Sequence, residues 1–321
     1  MKPEASLSLD LDNQWSYMKV HADPGWESFP SYLDTVVPRA LRTLADLRLK
    51  ATFFIVGQDA DLAGNLGALG LIARSGHGIG NHSFAHEPWL HRYTEGEVEA
   101  EIAHAEEVIV RATGVKPVGF RGPGFSVSRV VLRVLQRRGY LYDASTLPTY
   151  IGPLARAYYF MTAHLGAAQK EERGALFGTL SDGLRPIAPY RWRLDGGTLV
   201  EIPVTTFPVV KAPFHLSYVL YLSTFSEAAA RHYFRSALAA CRLAGVGPSL
   251  LLHPLDFLGG DDVRELAFFP AMGLPGQVKV ARVAGYLEDL ARHFDVLPLD
   301  EFARRMASRA DLPEVPAEEA G

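Results

Sequence analysis

Short apolar runs alternate with longer segments of helical periodicity along most of this 321-residue chain. Leu7–Leu11 alternates leucine with polar residues, as a strand does, and brings Asp10 and Asp12 to its end. Val36–Leu49 has apolar residues at helical spacing, and Ala51–Val56 is a β-branched and aromatic run that a parallel sheet can bury on both faces. Strand, helix and strand in succession predict an α/β fold.

The alternation continues beyond these first elements. Thr94 precedes a predicted helix at Glu95–Thr113, and its spacing from Glu97 fits a capping box. Further strands are predicted at His77–Asn81, Val118–Arg121, Leu141–Ala144, Leu199–Val204, Ser249–His253 and Phe294–Leu297, and further helices at Leu62–Arg74, Ser128–Arg138, Ser226–Leu243 and Val278–His293.

About seven to eight strands alternating with helices fit either a (β/α) barrel or a doubly wound open sheet. The placement of polar residues separates the two, because acids, histidines and an arginine fall at the C-terminal ends of at least five predicted strands. A barrel gathers those ends at one mouth. We therefore predict a TIM-like (β/α) barrel, distorted or incomplete.

One barrel domain is predicted over residues 1–306. Residues 148–192 interrupt the alternation with an aromatic patch and a Gly/Pro-rich return, which indicates an insertion near the barrel mouth. Residues 307–321 are rich in acids, contain two prolines and have few apolar residues, so a disordered tail is predicted there.

Composition excludes several classes of function. A net charge of −4 provides no broad cationic field, so no nucleic-acid partner is expected. The first residues lack a cationic and apolar leader pattern, which predicts a cytoplasmic location. No run of about 18 apolar residues is present, so no membrane span is expected, while peripheral membrane contact stays open. Cys241, the one cysteine, cannot form an internal disulfide.

His82 and His86 lie four residues apart after a predicted strand. If this stretch turns helically, the two imidazoles lie on one face, about 5–6 Å apart, and suit a single metal ion. The spacing alone is a weak signal, because a chain with eleven histidines often contains such a pair by chance. A solvated turn or a hydrogen-bonded core histidine would give the same pattern.

Other polar residues at strand ends strengthen the metal-site interpretation. These are Asp10 and Asp12 after the first strand, Arg121, Asp143 and His253 after later ones. Each has an ordinary structural explanation by itself, such as a turn cap or a surface ion pair. Five such coincidences in register indicate a shared site at the barrel mouth.

These residues resemble the motifs of the polysaccharide deacetylases of carbohydrate esterase family four. The matching segments are Ser8-Leu9-Asp10-Leu11-Asp12, His82-Ser83-Phe84-Ala85-His86, Arg121-Gly122-Pro123 and Leu250–His253, within a resemblance that extends over about Leu7–Ala303. The split Asp-x-Asp pair resembles that of the intracellular branch of the family. A fourth motif, usually an acid followed by tryptophan, is here Tyr142-Asp143-Ala144-Ser145, so Trp15, Trp26 or Trp89 would have to supply an aromatic wall.

The resemblance implies a fold, a cofactor and a mechanism. Asp12, His82 and His86 would hold one divalent metal ion, with zinc expected and cobalt, iron, nickel or manganese as alternatives. Asp10 would be the catalytic base, held by Arg121, and His253 the acid. Asp143 or Asp256 would orient His253, and the sequence does not choose between them. Backbone N–H groups near Gly124–Phe125 would complete an oxyanion hole.

The expected substrate is an N-acetylated sugar or glycolipid. Three apolar segments, Tyr158–Met161, Leu216–Phe225 and Leu266–Leu274, favour a hydrophobic or lipid-linked substrate, but a lid or a homo-oligomer interface explains them equally well. Two alternative functions stay open. One is a deformylase or allantoinase-like hydrolase on the same scaffold, and the other is a binding module without catalytic activity.

Overall fold

A mixed β-sheet with helices packed against it forms the centre of the protein. The computed structural model describes residues 2–150 and 180–320. The strands in chain order are β1 (Glu4–Asp10), β2 (Thr52–Ile55), β3 (Gly78–Asn81), β4 (Gly119–Phe120), β5 (Tyr142–Asp143), β6 (Tyr190–Leu194), β7 (Gly197–Glu201), β8 (Ser249–Leu252), β9 (Asp295–Pro298) and β10 (Glu314–Pro316).

The helices follow most of these strands along the chain. In chain order they are α1 (Gln14–His21), α2 (Leu33–Asp46), α3 (Gly57–Asp61), α4 (Leu66–Arg74), α5 (Glu95–Thr113), α6 (Arg129–Arg137), α7 (Leu216–Phe225), α8 (Glu227–Leu243), α9 (Gly276–His293) and α10 (Leu299–Ala307). Helix α5 has the predicted bounds and the predicted Thr94–Glu97 capping box. None of the described helices is both long and apolar enough to cross a membrane.

The strand order is β10-β6-β7-β5-β4-β3-β2-β1-β8, and β9 pairs with the first half of β1. Every described pairing is parallel except β6 with β7. After β7 the chain reaches β8, where the Thr205 N–H donates to the Ser249 carbonyl at 3.1 Å. The fold is thus the predicted barrel-like β/α arrangement, and no strand ladder closes it among the described residues.

The main hydrophobic core lies between the first strands and the helices around them. All four residues of β2 are buried, as the sequence predicts for a strand covered on both faces. Helix α2 contributes a buried stripe that includes Leu33, Val37 and Leu44. This packing fixes the carboxyl ends of β1 and β3 next to each other, which positions the site described below.

Two predicted boundaries differ from those of the described structure. The tail predicted to be disordered at 307–321 contains β10, which pairs with β6, and Ala317 and Ala320 are buried in a second hydrophobic cluster. The insertion predicted at 148–192 extends too far, because its last residues, 190–192, belong to β6. Its aromatic patch and Tyr158–Met161 lie outside the described residues.

Candidate metal centre and active site

Three potential metal ligands converge at the carboxyl ends of β1 and β3. Asp12 Oδ1 lies 3.2 Å from His82 Nε2 and 3.1 Å from His86 Nε2, and the three ligand atoms all lie within 4.8 Å of one another. All three residues are buried. We call Asp12, His82 and His86 the ligand set.

The loop that carries the two histidines is not helical, which corrects the helical turn considered from their spacing. Ser83 and His86 instead adopt left-handed backbone conformations, with φ of 59° and 52°. The ring centroids of His82 and His86 still lie 5.0 Å apart. Glu101 on α5 holds the loop, since its Oε2 accepts hydrogen bonds from the backbone N–H groups of Phe84 and Ala85 at 3.0 and 2.9 Å.

The hydrogen bonding of His82 shows that the ligand set suits a cation. His82 Nδ1 lies 2.7 Å from the Arg121 carbonyl, which can only accept, so Nδ1 carries a proton. Burial would lower the pKa of His82, but its hydrogen bond to Asp12 and the charges of Asp10 and Asp12 raise it, so a proton on Nε2 faces the Asp12 carboxylate where a divalent ion would take its place. Two ligands that are each about 2.1 Å from one metal ion at tetrahedral or octahedral angles lie roughly 3.0–3.4 Å apart. The observed separations therefore fit a shared divalent ion.

The surroundings of Asp12 favour its ionised form. Burial would raise the pKa of this carboxyl, but the charges and hydrogen bonds of His86 and His82 hold it well below its usual range. The Tyr32 hydroxyl donates to the Asp12 backbone carbonyl at 2.7 Å. Burial and the charge of Asp12 raise the pKa of Tyr17 well above its usual value, so Tyr17 stays a neutral hydroxyl donor beside the ligand set.

Asp10 and Arg121 form a buried ion pair next to the ligand set. Arg121 Nη1 lies 3.2 Å from Asp10 Oδ1, and the exposed fractions of the two side chains are 0% and 5%. The guanidinium also lies over the Phe54 ring, 4.8 Å from its centroid. Arg121 thus contacts Asp10 through its side chain and His82 through its carbonyl.

A second buried network supports the loop after Arg121. The Gly122 N–H donates to Ser145 Oγ at 2.7 Å, and Ser145 Oγ donates to Asp143 Oδ1 at 2.6 Å. Asp143 lies beside Glu201 on the neighbouring strand β7. Burial and the charge of Glu201 raise the pKa of Asp143 well above its usual range, which favours the protonated form of Asp143.

Gly122 is required by close packing, because a Cβ there would lie 2.0 Å from the Ser126 carbonyl oxygen. The same loop changes the expected oxyanion hole. The Phe125 N–H donates to the Gly122 carbonyl at 3.0 Å, so it is not free to bind an oxyanion.

His253 follows β8 and lines a cavity together with Asp12. Its Nδ1 lies 2.9 Å from Ser217 Oγ, and its backbone N–H donates to Asp256 Oδ2 at 2.8 Å. Burial raises the pKa of Asp256, while the charge of His253 and hydrogen bonds from the His253 backbone and Ser217 oppose that rise. Asp256 is therefore the acidic residue that contacts His253. In the described part of the chain, no hydrogen bond or ion pair joins His253 to Asp143.

Sequence reasoning missed several residues around the site. Tyr17 and Ser217 lie on helices that it did not predict, and Glu201 ends a strand whose polar end was not considered. His215 also lines the cavity, and burial with the charges of His253 and Arg121 lowers its pKa to about 3. A search for polar residues near every strand end would have found Glu201.

The sequence relationships agree with this arrangement. Residues 22–142 match the family model described as polysaccharide deacetylase. A peptidoglycan-N-acetylglucosamine deacetylase from Bacillus cereus is 37% identical over 86 residues, which are 27% of this chain and 30% of that protein. Residues 22–142 of this chain thus resemble the polysaccharide deacetylase family. A peptidoglycan deacetylase from Helicobacter pylori is 27% identical over 111 residues, 35% of this chain and 37% of that protein.

Structural comparison extends the likeness to nearly the whole chain. A crystal structure from Mycobacterium smegmatis, of a protein assigned to the polysaccharide deacetylases, superimposes with a TM-score of 0.65. The match covers 98% of this chain and 93% of that one at 21% identity, which shows the fold. The chain spans only about a third of the length of the curated relatives that it matches in sequence.

Proposed function

We propose that this protein is a metal-dependent hydrolase of the polysaccharide deacetylase family that removes the N-acetyl group from an amino-sugar-containing substrate. The observation that carries the proposal is the convergence of the ligand set, the buried Asp10–Arg121 pair and His253 at the carboxyl ends of β1, β3 and β8. A hydrolase of this kind needs a metal site, a base and an acid close together.

The ligand set would hold one divalent ion, which would polarise an amide carbonyl and make a nearby water more acidic. Zinc accepts two imidazoles and a carboxylate, and cobalt, iron, nickel and manganese accept the same donors. His82 is oriented for this role because its Nδ1–H donates to the Arg121 carbonyl, which leaves Nε2 for the ion.

Asp10 is the proposed base, which takes a proton from the attacking water. Its carboxylate is held by Arg121 at 3.2 Å, and Asp10 is not part of the ligand set. The contacts support this separation of roles, because Asp12 lies against both imidazoles, whereas Asp10 lies against the guanidinium.

His253 is the proposed acid, which gives a proton to the departing amine. Ser217 beside Nδ1 and Asp256 at the backbone N–H fix the position of the imidazole. Asp143 is proposed to act indirectly, as a positioning residue, because its hydrogen bond from Ser145 supports the loop after Arg121.

Metal content and acetate release, measured on the same samples, test this function. We expect about one metal ion per wild-type chain and acetate release from N-acetylated amino sugars, both lost in His82→Ala. His232→Ala is the matched control, because His232 is exposed on α8. A wild-type protein that binds no metal after reconstitution would contradict the assignment.

A wider substrate panel separates the alternative functions. Hydrolysis of formamides or cyclic amides, without acetate release from any amino sugar, would indicate a deformylase or an allantoinase-like enzyme. Metal binding without hydrolysis of any member of the panel would indicate a binding module.

A further inference from the structure

A cavity of about 320 Å³ opens beside the proposed active site and is lined by both Asp12 and His253. We call it the side cavity. Its volume falls in the range of about 300–1,000 Å³ that is typical of small-molecule sites, far more than the methyl group of an acetamide needs. Most of its wall is aromatic or aliphatic and comes from Tyr17, Tyr218, Leu220, Tyr221, Leu255, Phe269, Pro270 and Ala271.

These wall residues come from four segments that meet beside the site, one of which is the turn after β8 that carries Leu255. Helix α1 supplies Tyr17, helix α7 supplies Tyr218 and Tyr221, and the loop before α9 supplies Phe269. The rings of Tyr17 and Phe269 pack edge to face, with centroids 4.9 Å apart. This contact joins two of the segments, so the wall is a packed structural feature.

Two polar residues of the side cavity, Ser217 and Lys279, already have partners within the protein. Ser217 lies between His253 and Asp256. The Lys279 ammonium donates to the Leu255 carbonyl at 2.7 Å and contacts Met272 Sδ at 3.3 Å, and its side chain is buried. His215 is neutral, because burial lowers its pKa to about 3. Apart from the tyrosine hydroxyls and the unpaired Nδ1 of His215, few groups are left to bind the hydroxyl groups of a further sugar ring.

We propose that the side cavity binds an apolar group of the substrate that lies next to the amide to be cleaved. The chemistry fits an alkyl or aryl aglycone on the amino sugar, or an N-acyl chain longer than acetyl. This inference rests on the proposed deacetylase function and adds the class of substrate. Each buried methylene corresponds to about a fourfold gain in affinity, so a chain that fills half of the cavity gives a tenfold or larger preference.

Three substrates distinguish the sources of the apolar group. The metal-reconstituted full chain is assayed with N-acetylglucosamine, its octyl β-glycoside and N-octanoylglucosamine, each below its micelle concentration. We expect kcat/KM for one of the two octyl compounds to exceed that for N-acetylglucosamine by at least about tenfold. Preference for the glycoside identifies an aglycone site, and preference for the amide identifies an acyl site. Equal kcat/KM for all three compounds would overturn the proposal.

Calorimetric binding of methyl and octyl β-glycosides of N-acetylglucosamine separates failure of the side cavity from failure of the proposed function. Tighter binding of the octyl compound without any turnover would contradict the deacetylase function and support the cavity. Equal binding of the two glycosides, together with no preference for the octyl amide, would reject the cavity even if acetate is released.

Two neighbouring phenylalanines provide a matched pair of variants. Phe269 lines the side cavity, whereas Phe268 lies outside its lining, is 46% exposed and stacks on His21. We expect Phe269→Ala to reduce the octyl preference by about tenfold, Phe269→Leu to retain most of it, and Phe268→Ala to leave it unchanged. Loss of the preference in Phe268→Ala and its retention in Phe269→Ala would contradict the proposed location.

Discussion

Asp10 and Asp12 are two residues apart and have different partners. Asp12 lies 3.1–3.2 Å from two imidazole nitrogens, and Asp10 lies 3.2 Å from a guanidinium nitrogen. A carboxylate between two imidazoles can share a metal ion with them, while one paired with arginine is free to accept a proton. The geometry therefore favours the same division of roles that the family resemblance implies.

Amide variants of the two acids should have different effects. We expect Asp10→Asn to keep about one metal ion per chain and to lower kcat by about 10²–10⁴, the usual contribution of a general base. Asp12→Asn should lose the metal ion, because an amide oxygen is a weaker ligand than a carboxylate. Metal analysis and acetate release on both variants test this, and metal loss in Asp10→Asn alone would reverse the assignment.

Asp59 gives a separate prediction about pH and stability. Its buried Oδ1 accepts hydrogen bonds from Asn13, Trp15 and Asn65 at 2.7, 3.0 and 3.1 Å, and its Oδ2 has no hydrogen-bond partner. Burial raises its pKa from 3.8 to about 7; the hydrogen bonds partly oppose this rise, and the charge of Asp12 adds to it. Because the folded pKa is the higher one, the stabilisation is complete below pH 3.8 and is lost as pH rises through 7.

Asp59→Asn should therefore gain stability relative to the wild type as pH rises. Asparagine can keep the accepting oxygen and place its NH₂ where the unpaired Oδ2 lies. In the metal-free protein, we expect the difference in unfolding free energy to change by about 2–3 kcal/mol between pH 5 and pH 8. Urea unfolding at both pH values measures it, and parallel pH dependence of the two proteins would contradict the shifted pKa.

At the scale of elements, helix α5 connects the core to the ligand set. One face of α5 is buried through Val98, Ile102 and Ala105, and Glu101 accepts two N–H groups of the histidine loop. The left-handed residues in that loop would cost energy without such support. Glu101 therefore supports the loop of the candidate metal site without belonging to the ligand set.

Glu101→Ala should weaken metal binding while the fold persists. Loss of an outer-shell hydrogen bond typically costs about 10–100-fold in metal affinity, and we expect a loss in that range. Glu101→Gln should recover part of it, because the amide oxygen can still accept. Glu107→Ala is the matched control on the same helix, since Glu107 is exposed. Competition with a chelator measures the affinities, and equal loss in both alanine variants would exclude a specific role.

The elements that the sequence predicted are those with strong periodicity. The bounds of α5 and the burial of β2 followed from local patterns. The conformation of the histidine loop could not be predicted from local patterns, because its left-handed residues are stabilised by Glu101, which is distant in sequence. The β6–β7 hairpin had a signal in Asp195-Gly196 after an alternating run, but this run was assigned to the insertion.

The same limit applies to the candidate site. Its motif residues could be named from the sequence, since histidines and acids at strand ends are visible in the chain. Ser217 could not be identified from the sequence, because its position beside His253 depends on how α7 packs against β8. The contact of Asp256 with the backbone N–H of His253 likewise required the three-dimensional structure.

At the scale of the whole molecule, the C-terminal segment completes one edge of the sheet. Strand β10 pairs with β6 over Glu314–Pro316, and Ala317 and Ala320 pack in the cluster that contains Tyr190 and Trp192. Six strands lie between β10 and β1 in the sheet order, and Asp12 of the ligand set follows β1. The edge formed by β10 is therefore distant from Asp12 along the sheet. The segment should therefore affect stability and not catalysis.

Deletion of residues 313–321 tests this separation. The truncated chain loses the β10 pairing and two buried alanines, and it exposes the edge of β6, which favours aggregation. We expect the free energy of unfolding to fall by about 1–3 kcal/mol and the melting temperature to fall by about 2–6 °C, while kcat of the folded fraction stays unchanged. Thermal unfolding, light scattering and acetate release measure the three effects. An unchanged melting temperature would instead favour the disordered tail that composition predicts, because removing a disordered segment costs no packing.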